Sequence, residues 1–399
     1  MRYIERALEQ ALEKYLKRKE ILAVVGPRQA GKTTIVEHLF EKLEHTHKVS
    51  FDDMDLLDLF QNDIKSFIDI HIKPFRYVFI DEIQYAKGSG KSLKFIFDTV
   101  PTKLFISGSS AADMAIQSLK FLVGRVLIFT LYTLSFKEFL RYKVPEMGEA
   151  ALKGSKIVAR QLQPYVEEYL SYGGYPEVVL ADTAEEKAVL LKNIYNTYFL
   201  REIKEIIQLS DDFKLRELVK ALALQIGSII NYQELSSLTG VSFPELKQNL
   251  NILEKTFICG LLRNFHTNKR QELRKSPKVY FVDIGFRNFV IKNFNKERPD
   301  RGALLENFVY SELIREEKEL RYWRTKAKAE VDFVLEEKGE VIPIEVKSQP
   351  KITKSLQSFI MAYHPKIACL LSLHPDEDKK IGATQIRNAP LASVSSLFP

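Results

Sequence analysis

Short apolar runs alternate with helical stretches over the first third of the chain. The run ILAVV is followed by KTTIVEHLFEKL, in which apolar residues recur at helical spacing. Four later runs, KVSFDD, RYVFIDE, KLFISGSS and RVLIFTL, have the length and composition of strands. Strands that alternate with helices are typical of βα units around a parallel sheet. The pattern therefore predicts an α/β domain over residues 1–135.

The pattern changes along the rest of the chain. Residues 136–205 are helical and tyrosine-rich, and YGGYPE interrupts them. The apolar pattern of residues 206–292 predicts three short helices, followed by two strands around a polar loop. The segment 293–303 has the polar, proline- and glycine-containing character of a linker, and residues 304–399 return to a mixed pattern. We therefore expect four domains, with the bounds 1–135, 136–205, 206–292 and 293–399.

Composition and charge limit the classes of protein to which this chain could belong. With 399 residues, 45% of them hydrophobic, the chain is too long for one core of ordinary size. Its formal charge of +7 permits nucleic-acid binding, but a solvated, lysine-rich surface explains that charge equally well. Cys259 and Cys369 are far apart, so neither a disulfide framework nor a zinc site is expected. Without an apolar run near ~18 residues or a signal peptide, the sequence predicts a cytoplasmic protein that does not span a membrane.

A phosphate-binding motif follows the first strand. GPRQAGKTT fits the pattern G-x-x-x-x-G-K-[ST] at Gly26, Gly31, Lys32 and Thr33. Backbone N–H groups of such a loop surround phosphate oxygens, and the next helix directs its positive end toward them. Lys32 would contact the β- and γ-phosphates of ATP, and Thr33 would bind Mg²⁺. The residues expected to contact the nucleotide are Gly26, Pro27, Arg28, Gln29, Ala30, Gly31, Lys32, Thr33 and Thr34.

An acidic pair ends the strand RYVFIDE. Asp81 would hold the Mg²⁺ through water, and Glu82 would polarise the attacking water as the catalytic base. A solvated acidic turn is common after a strand, but beside a phosphate loop the pair supplies what ATP hydrolysis needs. We therefore interpret the two motifs as one ATP site.

Three further residues are candidates for this site, each with an open alternative. Ser107 and Ser109 end the next strand and could sense the γ-phosphate or position the water, although serines there are usually ordinary turn residues. Arg125 precedes the strand VLIFT and could stabilise transition-state charge at the ATP of a neighbouring subunit in a homo-oligomer. A surface arginine without a role is the alternative.

The order of motifs resembles a known family. GPRQAGKTT, VFIDEIQ, FISGSSA and GRVLIFTLYTLSFKEF look like the AAA-type P-loop ATPases that are widespread in prokaryotes and carry a C-terminal domain of nuclease-like fold. The resemblance extends through YGGYPEVV and KVYFVDIGFRN to GALLENFV, AEVDFVL and IPIEVKS, and so covers nearly the whole chain. It implies an ATP-hydrolysing core followed by a helical lid over residues 136–205.

A helix-turn-helix is predicted in NYQELSSLTGVSFPELKQNLNILEK. Gly240 ends the first helix, and Ser242 and Glu245 form a capping box for the second. Leu246, Leu250 and Leu253 make the apolar stripe of that second helix. Two strands around HTNKRQELRKSPK would complete a winged helix.

The loop between those strands is basic. From Arg263 to Lys278 the chain carries one acid, Glu272, against six basic residues, which suits phosphate contacts along DNA. Use of the fold for protein contacts is the alternative. The six basic residues are Arg263, Lys269, Arg270, Arg274, Lys275 and Lys278.

Charged residues interrupt two apolar strands near the C-terminus. In VIPIEVK, Glu345 and Lys347 share the face opposite to the apolar side chains, and in EVDFVL the same holds for Asp332. If the strands pair antiparallel through the loop around Gly339, the three charged groups converge. An exposed pair of Glu345 and Lys347 without a role is the alternative.

The C-terminal order of elements, αβββαβ with D…ExK on the second and third strands, resembles the PD-(D/E)xK nuclease fold. The resemblance implies that Asp332 and Glu345 bind one or two Mg²⁺ or Mn²⁺ ions, with Glu306 as a further acid. It implies that Lys347 orients the water or neutralises the phosphate. The sequence thus predicts an ATPase that binds DNA and carries a metal-dependent, endonuclease-like domain. An ATP-driven switch or scaffold with a catalytically silent nuclease-like domain remains the alternative.

Overall fold

The computed structural model describes residues 3–108, 122–147, 156–203, 212–266, 272, 275–337 and 339–398. The chain forms two compact units. The first unit is Met1–Leu134 with Lys255–Phe257, and the second is Ser135–Glu254 with Ile258–Pro399. Within the described ranges, no helix has both the length and the apolar content needed to cross a bilayer.

The first unit is built from five strands and the helices between them. Strands β1 to β5 are Ile21–Val25, Thr46–Ser50, Tyr77–Asp81, Lys103–Gly108 and Val126–Thr130. Helices α1 to α5 are Ala7–Lys14, Lys32–Phe40, Met54–Asn62, Ile64–Phe67 and Ser89–Thr99, with a π-helical turn at Ile68–Ile72 and a 3₁₀ turn at Ile83–Tyr85. The strands are parallel in the order β2-β3-β4-β1-β5, which confirms the predicted α/β fold with a parallel sheet.

Strand β1 lies inside this sheet and is buried along its whole length. Ile21 and Ala23 pack into one apolar cluster with Val78, while Leu22 packs on the other face with Phe79. Parallel strands covered on both faces have continuous apolar sequences, which explains ILAVV. The strand therefore holds the loop that follows it on a rigid base.

The second unit contains helices α6 to α16 and strands β6 to β13. The helices are Phe136–Lys143, Lys156–Tyr172, Pro176–Leu180, Ala184–Ile194, Asp212–Leu224, Tyr232–Thr239, Phe243–Lys255, Ile284–Val290, Arg301–Arg315, Lys354–Tyr363 and Val394–Leu397. A π-helical segment follows α9 at Tyr195–Ile203, and 3₁₀ turns lie at Pro145–Met147 and Leu391–Ser393. The strands are Cys259–Asn264, Lys278–Phe281, Leu320–Arg324, Glu330–Glu337, Glu340–Lys347, Ile367–Ser372, Lys379–Ile381 and Thr384–Pro390.

All eight strands of the second unit form one sheet, in the order β12-β13-β11-β10-β9-β8-β6-β7. The connection between its two parts is the parallel pairing of β6 with β8, in which Asn264 faces Tyr322. Asn264 is buried, and its side-chain Nδ2 donates to the Tyr322 carbonyl at 3.3 Å. One sheet therefore includes strands from residues 206–292 and from residues 293–399, and the predicted domain bounds stay predictions.

The segment 293–303 is not a free linker, contrary to the prediction. Asp300 forms one ion pair with Arg287, at 2.6 Å, and another with Arg298. The side chain of Arg287 is 1% exposed, and a buried guanidinium needs a carboxylate partner. The polar composition that suggested a linker therefore supplies a buried ionic network.

The motif YGGYPE has a structural explanation. Gly173 has φ of +73°, and a Cβ there would lie 2.3 Å from Oδ1 of Asp283. The backbone N–H of Gly174 donates to Oδ2 of Asp283 at 2.9 Å, and Asp283 also caps α13 by accepting from the N–H of Phe286. The glycines thus allow this turn to dock on the turn that begins α13.

A buried carboxylate connects α6 to α14 within the second unit. Glu312 on α14 accepts from the backbone N–H of Phe136, the first residue of α6, at 3.1 Å. Burial raises the pKa of Glu312 to about 7, although Arg315, at 3.7 Å, opposes the shift. The side chain is therefore protonated in the folded protein at mildly acidic pH, where it would be ionised in the unfolded chain.

The stability of the second unit should consequently fall as pH rises. A carboxyl with a raised pKa binds its proton more tightly when folded, so its stabilising effect is lost between its unfolded pKa and its folded one. Between about pH 4.5 and 7 we expect Glu312 to account for on the order of 3 kcal/mol of this loss. Urea unfolding at pH 5 and pH 8 should show a smaller difference for Glu312→Gln than for wild type. Equal pH dependence in the two proteins would contradict the assignment.

Candidate functional site

The phosphate loop lies between β1 and α2, as predicted. Gly26 follows β1, and a Cβ there would lie 2.0 Å from the Leu131 carbonyl oxygen, so that backbone contact excludes other residues. Gly31 has φ of +92° and is the N-cap of α2. These two glycines set the course of the loop, and α2 begins with its N-terminus facing it.

Lys32 is the first residue of α2 and is 6% exposed. Its ammonium donates to the carbonyls of Gly26 at 3.1 Å and Pro27 at 2.9 Å. Burial lowers the pKa of Lys32 to about 8, with the carboxylates of Asp81 and Glu82 acting in the opposite direction. The ammonium is thus held over the loop, where a phosphate would replace its carbonyl partners.

The structure brings Thr33 and the acidic pair together. Oγ1 of Thr33 donates to Oδ2 of Asp81 at 2.8 Å, and the buried Ser107 hydroxyl donates to Oδ1 of the same carboxylate. Parallel order explains this meeting, because β1, β4 and β3 are adjacent and end at the same edge of the sheet. Thr33 and Asp81 offer the oxygen donors that Mg²⁺ prefers, so this pair fits the ion of an Mg–ATP complex.

Glu82 lies next to this pair in a left-handed conformation, with φ of +55°. Its backbone N–H donates to Oδ1 of Asp81 at 3.1 Å, and its carboxylate accepts from the side chain of Gln84. A non-glycine residue with positive φ is uncommon and is often found at functional sites. The backbone thus turns the expected base away from the course of β3.

Two contacts in the first unit were missed by the sequence analysis. The buried side chain of Arg6 donates to the carbonyls of Ala30 at 2.8 Å and Tyr132 at 2.6 Å, which supports the phosphate loop. Lys48 on β2 lies 4.0 Å from Oδ2 of Asp81. A basic residue in an amphipathic segment is a weak signal, so neither contact could be found without the fold.

Arg125 is not brought to the phosphate loop of its own chain. Arg125 lies before β5, and its carbonyl accepts from the N–H of Ile21, at the amino end of β1. Its guanidinium pairs with Asp98 at 3.0 Å. Arg125 therefore lies at the sheet edge opposite to the loop of its own chain, and its role at a neighbouring subunit stays a prediction. Ser109 lies outside the described residues.

The predicted helix-turn-helix corresponds to α11 and α12, and Gly240 ends α11 with φ of +64°. Leu246, Leu250 and Leu253 are buried, as the apolar stripe required. The capping box is only half present. Glu245 accepts from the N–H of Ser242 at 3.0 Å, but the Ser242 hydroxyl donates to that same carboxylate and leaves the helix N–H without this cap.

The basic loop is less uniformly exposed than its sequence suggested. Arg263 and Lys275 are exposed, but Lys278 is 1% exposed and lies inside the second unit. Glu272 is buried and pairs with Arg321. Lys278, which was counted with the basic loop, is therefore not exposed for phosphate contacts, because a charge count cannot distinguish buried lysines from exposed ones. Lys269, Arg270 and Arg274 lie outside the described residues.

Strands β9 and β10 pair antiparallel through the turn at Gly339, and the charged residues converge as predicted. Oδ2 of Asp332 accepts from the N–H of Val346 at 2.8 Å and from the Lys347 ammonium at 3.1 Å. The same ammonium lies 3.2 Å from Oε1 of Glu345. The predicted alternative of an exposed pair does not describe Glu345, which is 2% exposed.

Glu306 on α14 approaches this group from another side. Its Oε2 accepts from the hydroxyl of Tyr280 at 2.9 Å and lies 3.8 Å from the ammonium of Lys278. We call Glu306, Asp332 and Glu345 the acidic cluster. Burial and the charge of Asp332 raise the pKa of Glu306 to about 8 and that of Glu345 to about 7. The shared influence of Asp332 indicates that the three carboxyl groups are close enough to repel one another.

Lysine side chains contact the acidic cluster. In the part of the chain that the structure describes, no group of three or more His, Cys, Asp or Glu residues is arranged to hold a metal ion. The Lys347 ammonium lies between Asp332 and Glu345, and the ligand set of Glu306, Asp332 and Glu345 stays a prediction. One observation favours a cation nevertheless. Oε2 of Glu345 is buried and has no hydrogen-bond partner among the described residues, and a buried carboxylate oxygen needs one.

Lys278 is a buried cation of this region that the sequence analysis counted only as part of the basic loop. Besides its contact with Glu306, its ammonium lies 2.6 Å from Oε1 of Glu330. Burial lowers the pKa of Lys278, but Glu306, Asp332 and Glu330 outweigh that effect and raise it. Strand β7, from the predicted winged helix, thus contributes a cation to the acidic cluster.

Comparison with known families agrees with the geometry of the first unit. Residues 18–140 match the AAA domain family. The first unit contains an AAA-type P-loop ATPase domain. Residues 163–297 match a domain of unknown function (DUF8612), and residues 301–392 match another (DUF4143).

Several relatives align with most of the chain. An uncharacterized protein of Haemophilus influenzae is 28% identical over 68% of this chain, and the match covers 65% of that relative, less than two thirds of its length. Uncharacterized protein MJ1544 of Methanocaldococcus jannaschii is 26% identical over 85% of this chain and 80% of its own. Uncharacterized protein Rv2008c of Mycobacterium tuberculosis is 24% identical over 92% of this chain and 79% of its own.

Two solved structures are similar at low identity. The Walker-type ATPase PABY2304 of Pyrococcus abyssi is 13% identical with a TM-score of 0.47, and covers 72% of this chain and 96% of its own. The ORC2 protein of Aeropyrum pernix, in ADPNP and ADP complexes, is 12% identical with a TM-score of 0.39, and covers 78% and 97%. Both scores are below 0.5, so the AAA family match carries the assignment.

Proposed function

We propose that the protein hydrolyses ATP in its first unit and binds DNA through its second, where the acidic cluster supports metal-dependent cleavage. The observation that carries the proposal is the contact of Thr33 with Asp81, which joins the phosphate loop to the acidic pair at 2.8 Å. Lys32 would bind the β- and γ-phosphates, Glu82 would polarise water, and Thr33 and Asp81 would hold Mg²⁺. Ser107, whose hydroxyl donates to Asp81, would respond to the γ-phosphate.

Glu82→Gln should separate ATP binding from ATP hydrolysis. Glutamine keeps the size and the hydrogen bond with Gln84 but cannot take a proton, so the variant should bind ATP normally and turn it over roughly 10²-fold more slowly. Nucleotide-binding titrations and phosphate release measure the two steps. Hydrolysis at the wild-type rate would show that Glu82 is not the base.

In the second unit, the proposal assigns DNA contact to α12 and to the basic loop between β6 and β7. Exposed Arg263 and Lys275 flank that loop, and basic residues at such a loop suit phosphate contacts. Exposed Lys247 extends the basic character onto α12. If the same elements contact protein instead, removing these charges would leave the affinity for DNA unchanged.

Replacing Lys269, Arg270, Arg274 and Lys275 with alanine should weaken DNA binding and reduce its dependence on salt. Each phosphate contact to duplex DNA contributes about 0.9 to the slope of log affinity against log salt, so the slope should fall by about 3 to 4. Anisotropy titrations of a labelled duplex at several salt concentrations measure it. An unchanged slope would favour protein contact instead.

For the acidic cluster, the proposal is a hydrolytic site that needs Mg²⁺ or Mn²⁺. Asp332 and Glu345 would bind the ion, which would activate water and stabilise negative charge on the phosphate. Glu306 would complete the ligand set, and Lys347 would orient the water. The partnerless Oε2 of Glu345 and the oxygen donors of its neighbours support this role.

A second candidate function is favoured by one observation. The ammonium of Lys347 bridges Asp332 and Glu345, and Lys278 lies against Glu306, so lysines already neutralise the carboxylates. A nuclease-like domain held in this way could bind DNA without cleaving it, as part of an ATP-driven switch. The two candidates differ in one observable, which is metal-dependent cleavage of DNA.

A further inference from the structure

The first unit has a second concave site, at the amino ends of its strands. A cavity of about 600 Å³ is bounded by the turn after α1, the start of β3 and the segment between α5 and β4. Its basic lining residues are Lys17, Arg18, Lys19, Arg76 and Lys103, against one acid, Asp98. We call this site the basic groove.

The basic groove is distinct from the ATP site. Strand β1 begins at the groove edge of the sheet with Ile21 and ends with Val25 at the phosphate loop. Five residues of strand span about 16 Å, so the two sites lie at opposite edges of the sheet. A ligand in the groove would therefore be separate from bound ATP.

A buried lysine holds the groove in shape. Lys103 is 6% exposed, and its ammonium donates to the carbonyls of Arg18 at 2.8 Å and Glu20 at 2.5 Å. The neighbouring wall is fixed by the backbone bond from Lys103 N–H to the Arg76 carbonyl at 2.9 Å. The turn that carries Lys17 and Lys19 is therefore preorganised.

The cations of the groove differ in how far they are already neutralised. Arg18 pairs with Glu20 at 3.0 Å, and Asp98 pairs with Arg125. In the ranges that the structure describes, no carboxylate pairs with the exposed side chains of Lys17, Lys19 or Arg76. Three positive charges are thus available to an anion.

Aromatic rings lie beneath two of these cations. The ammonium of Lys19 is 4.6 Å from the ring centre of Phe97, and the guanidinium of Arg76 is 5.4 Å from that of Tyr77. Both rings are half-buried. The groove is open and carries several positive charges with aromatic rings between them. This arrangement suits a nucleic-acid strand, with its repeated phosphates, better than one compact anion.

We propose that the basic groove binds the phosphodiester backbone of a nucleic-acid strand. The proposal adds a contact in the first unit that is independent of the basic loop in the second. Lys17, Lys19 and Arg76 neutralise phosphates, and Lys103 keeps their turn in position. The chemical class of the ligand is a polyanion of linked phosphate esters.

The test compares two full-length variants that lose the same charge. The groove variant carries Lys17→Gln, Lys19→Gln and Arg76→Gln, and the control carries Lys65→Gln, Lys192→Gln and Lys380→Gln at exposed positions outside the groove. A fluorescein-labelled single-stranded oligonucleotide is titrated at several salt concentrations. The groove variant should lose about tenfold in affinity at physiological salt and about 2 in salt slope, and the control should match wild type.

Other outcomes decide against the proposal in different ways. Equal affinity and slope in the groove variant and the control would overturn it. If the variant with alanines in the basic loop still weakens binding in that case, DNA binding by the second unit stands and only the groove fails. Displacement of the oligonucleotide by inorganic tripolyphosphate at equal phosphate concentration would assign the groove to free polyphosphates and contradict binding of a strand. Unchanged ATP binding in the groove variant confirms that it folds.

Discussion

Replacing Lys32 with alanine should abolish ATP hydrolysis. The Lys32 ammonium is held over the loop by the carbonyls of Gly26 and Pro27. Loss of a preorganised charge that stabilises the transition state typically costs about 10²–10³ in rate, and here it removes the phosphate clamp as well. Phosphate release from full-length protein with excess Mg–ATP is the measurement.

Lys65→Ala is the matched control, because Lys65 is an exposed lysine of the same unit. That variant should hydrolyse ATP at the wild-type rate. Folding of Lys32→Ala is checked by thermal unfolding, since the mutation removes a buried side chain. A folded Lys32→Ala variant that keeps more than about a tenth of the rate would contradict the assignment of the ATP site.

Asp332→Ala and Glu345→Ala should each lower the Mn²⁺ affinity of the acidic cluster by roughly 10²-fold or more. Lys347→Met should instead tighten it, because the Lys347 ammonium occupies the space between the two carboxylates and competes with a cation. The same variant should not cleave DNA if Lys347 orients the water. Calorimetric titration of Mn²⁺ into nucleotide-free, full-length protein measures the affinities. The full chain is required because β6 and β7 belong to the same sheet as β9 and β10.

Glu340→Ala is the control for these titrations, since Glu340 is an exposed acid on the same strand and should not affect Mn²⁺ binding. Affinity should also rise with pH. Protons compete with the metal for Glu345 and Glu306, whose pKa values are raised to about 7 and about 8, so the gain should level off above pH 8. Equal Mn²⁺ affinity in wild type and the Asp332→Ala, Glu345→Ala double variant would show that the acidic cluster is not a metal site.

The parts of the fold that could be predicted depend on local patterns. The phosphate loop is a short motif between a strand and a helix, so its position follows from neighbouring residues alone. The β9–β10 hairpin follows from a side-chain period of two and one turn, which fixes which face carries Asp332, Glu345 and Lys347. Parallel sheet order then explains why Thr33 reaches Asp81, 48 residues further along the chain.

The parts that could not be predicted depend on contacts between distant segments. The pairing of Asn264 with Tyr322 joins two predicted domains into one sheet, and no local pattern encodes that pairing. Lys278 and Lys275 look alike in the sequence, yet one is buried against Glu330 and the other is exposed. Burial of a charged residue depends on partners supplied by the fold, so it appears only once the sheet is assembled.

The most direct test of the proposed function is cleavage of DNA by the full-length protein. Purified wild type is incubated with linear duplex and single-stranded DNA in Mg²⁺ or Mn²⁺, with and without ATP, beside the Asp332→Ala, Glu345→Ala double variant. We expect metal-dependent cleavage by wild type and none by the double variant, whose ATP hydrolysis should stay at the wild-type rate. Metal-dependent cleavage that is equal in both proteins, or no cleavage by wild type under any of these conditions, would contradict the proposed function.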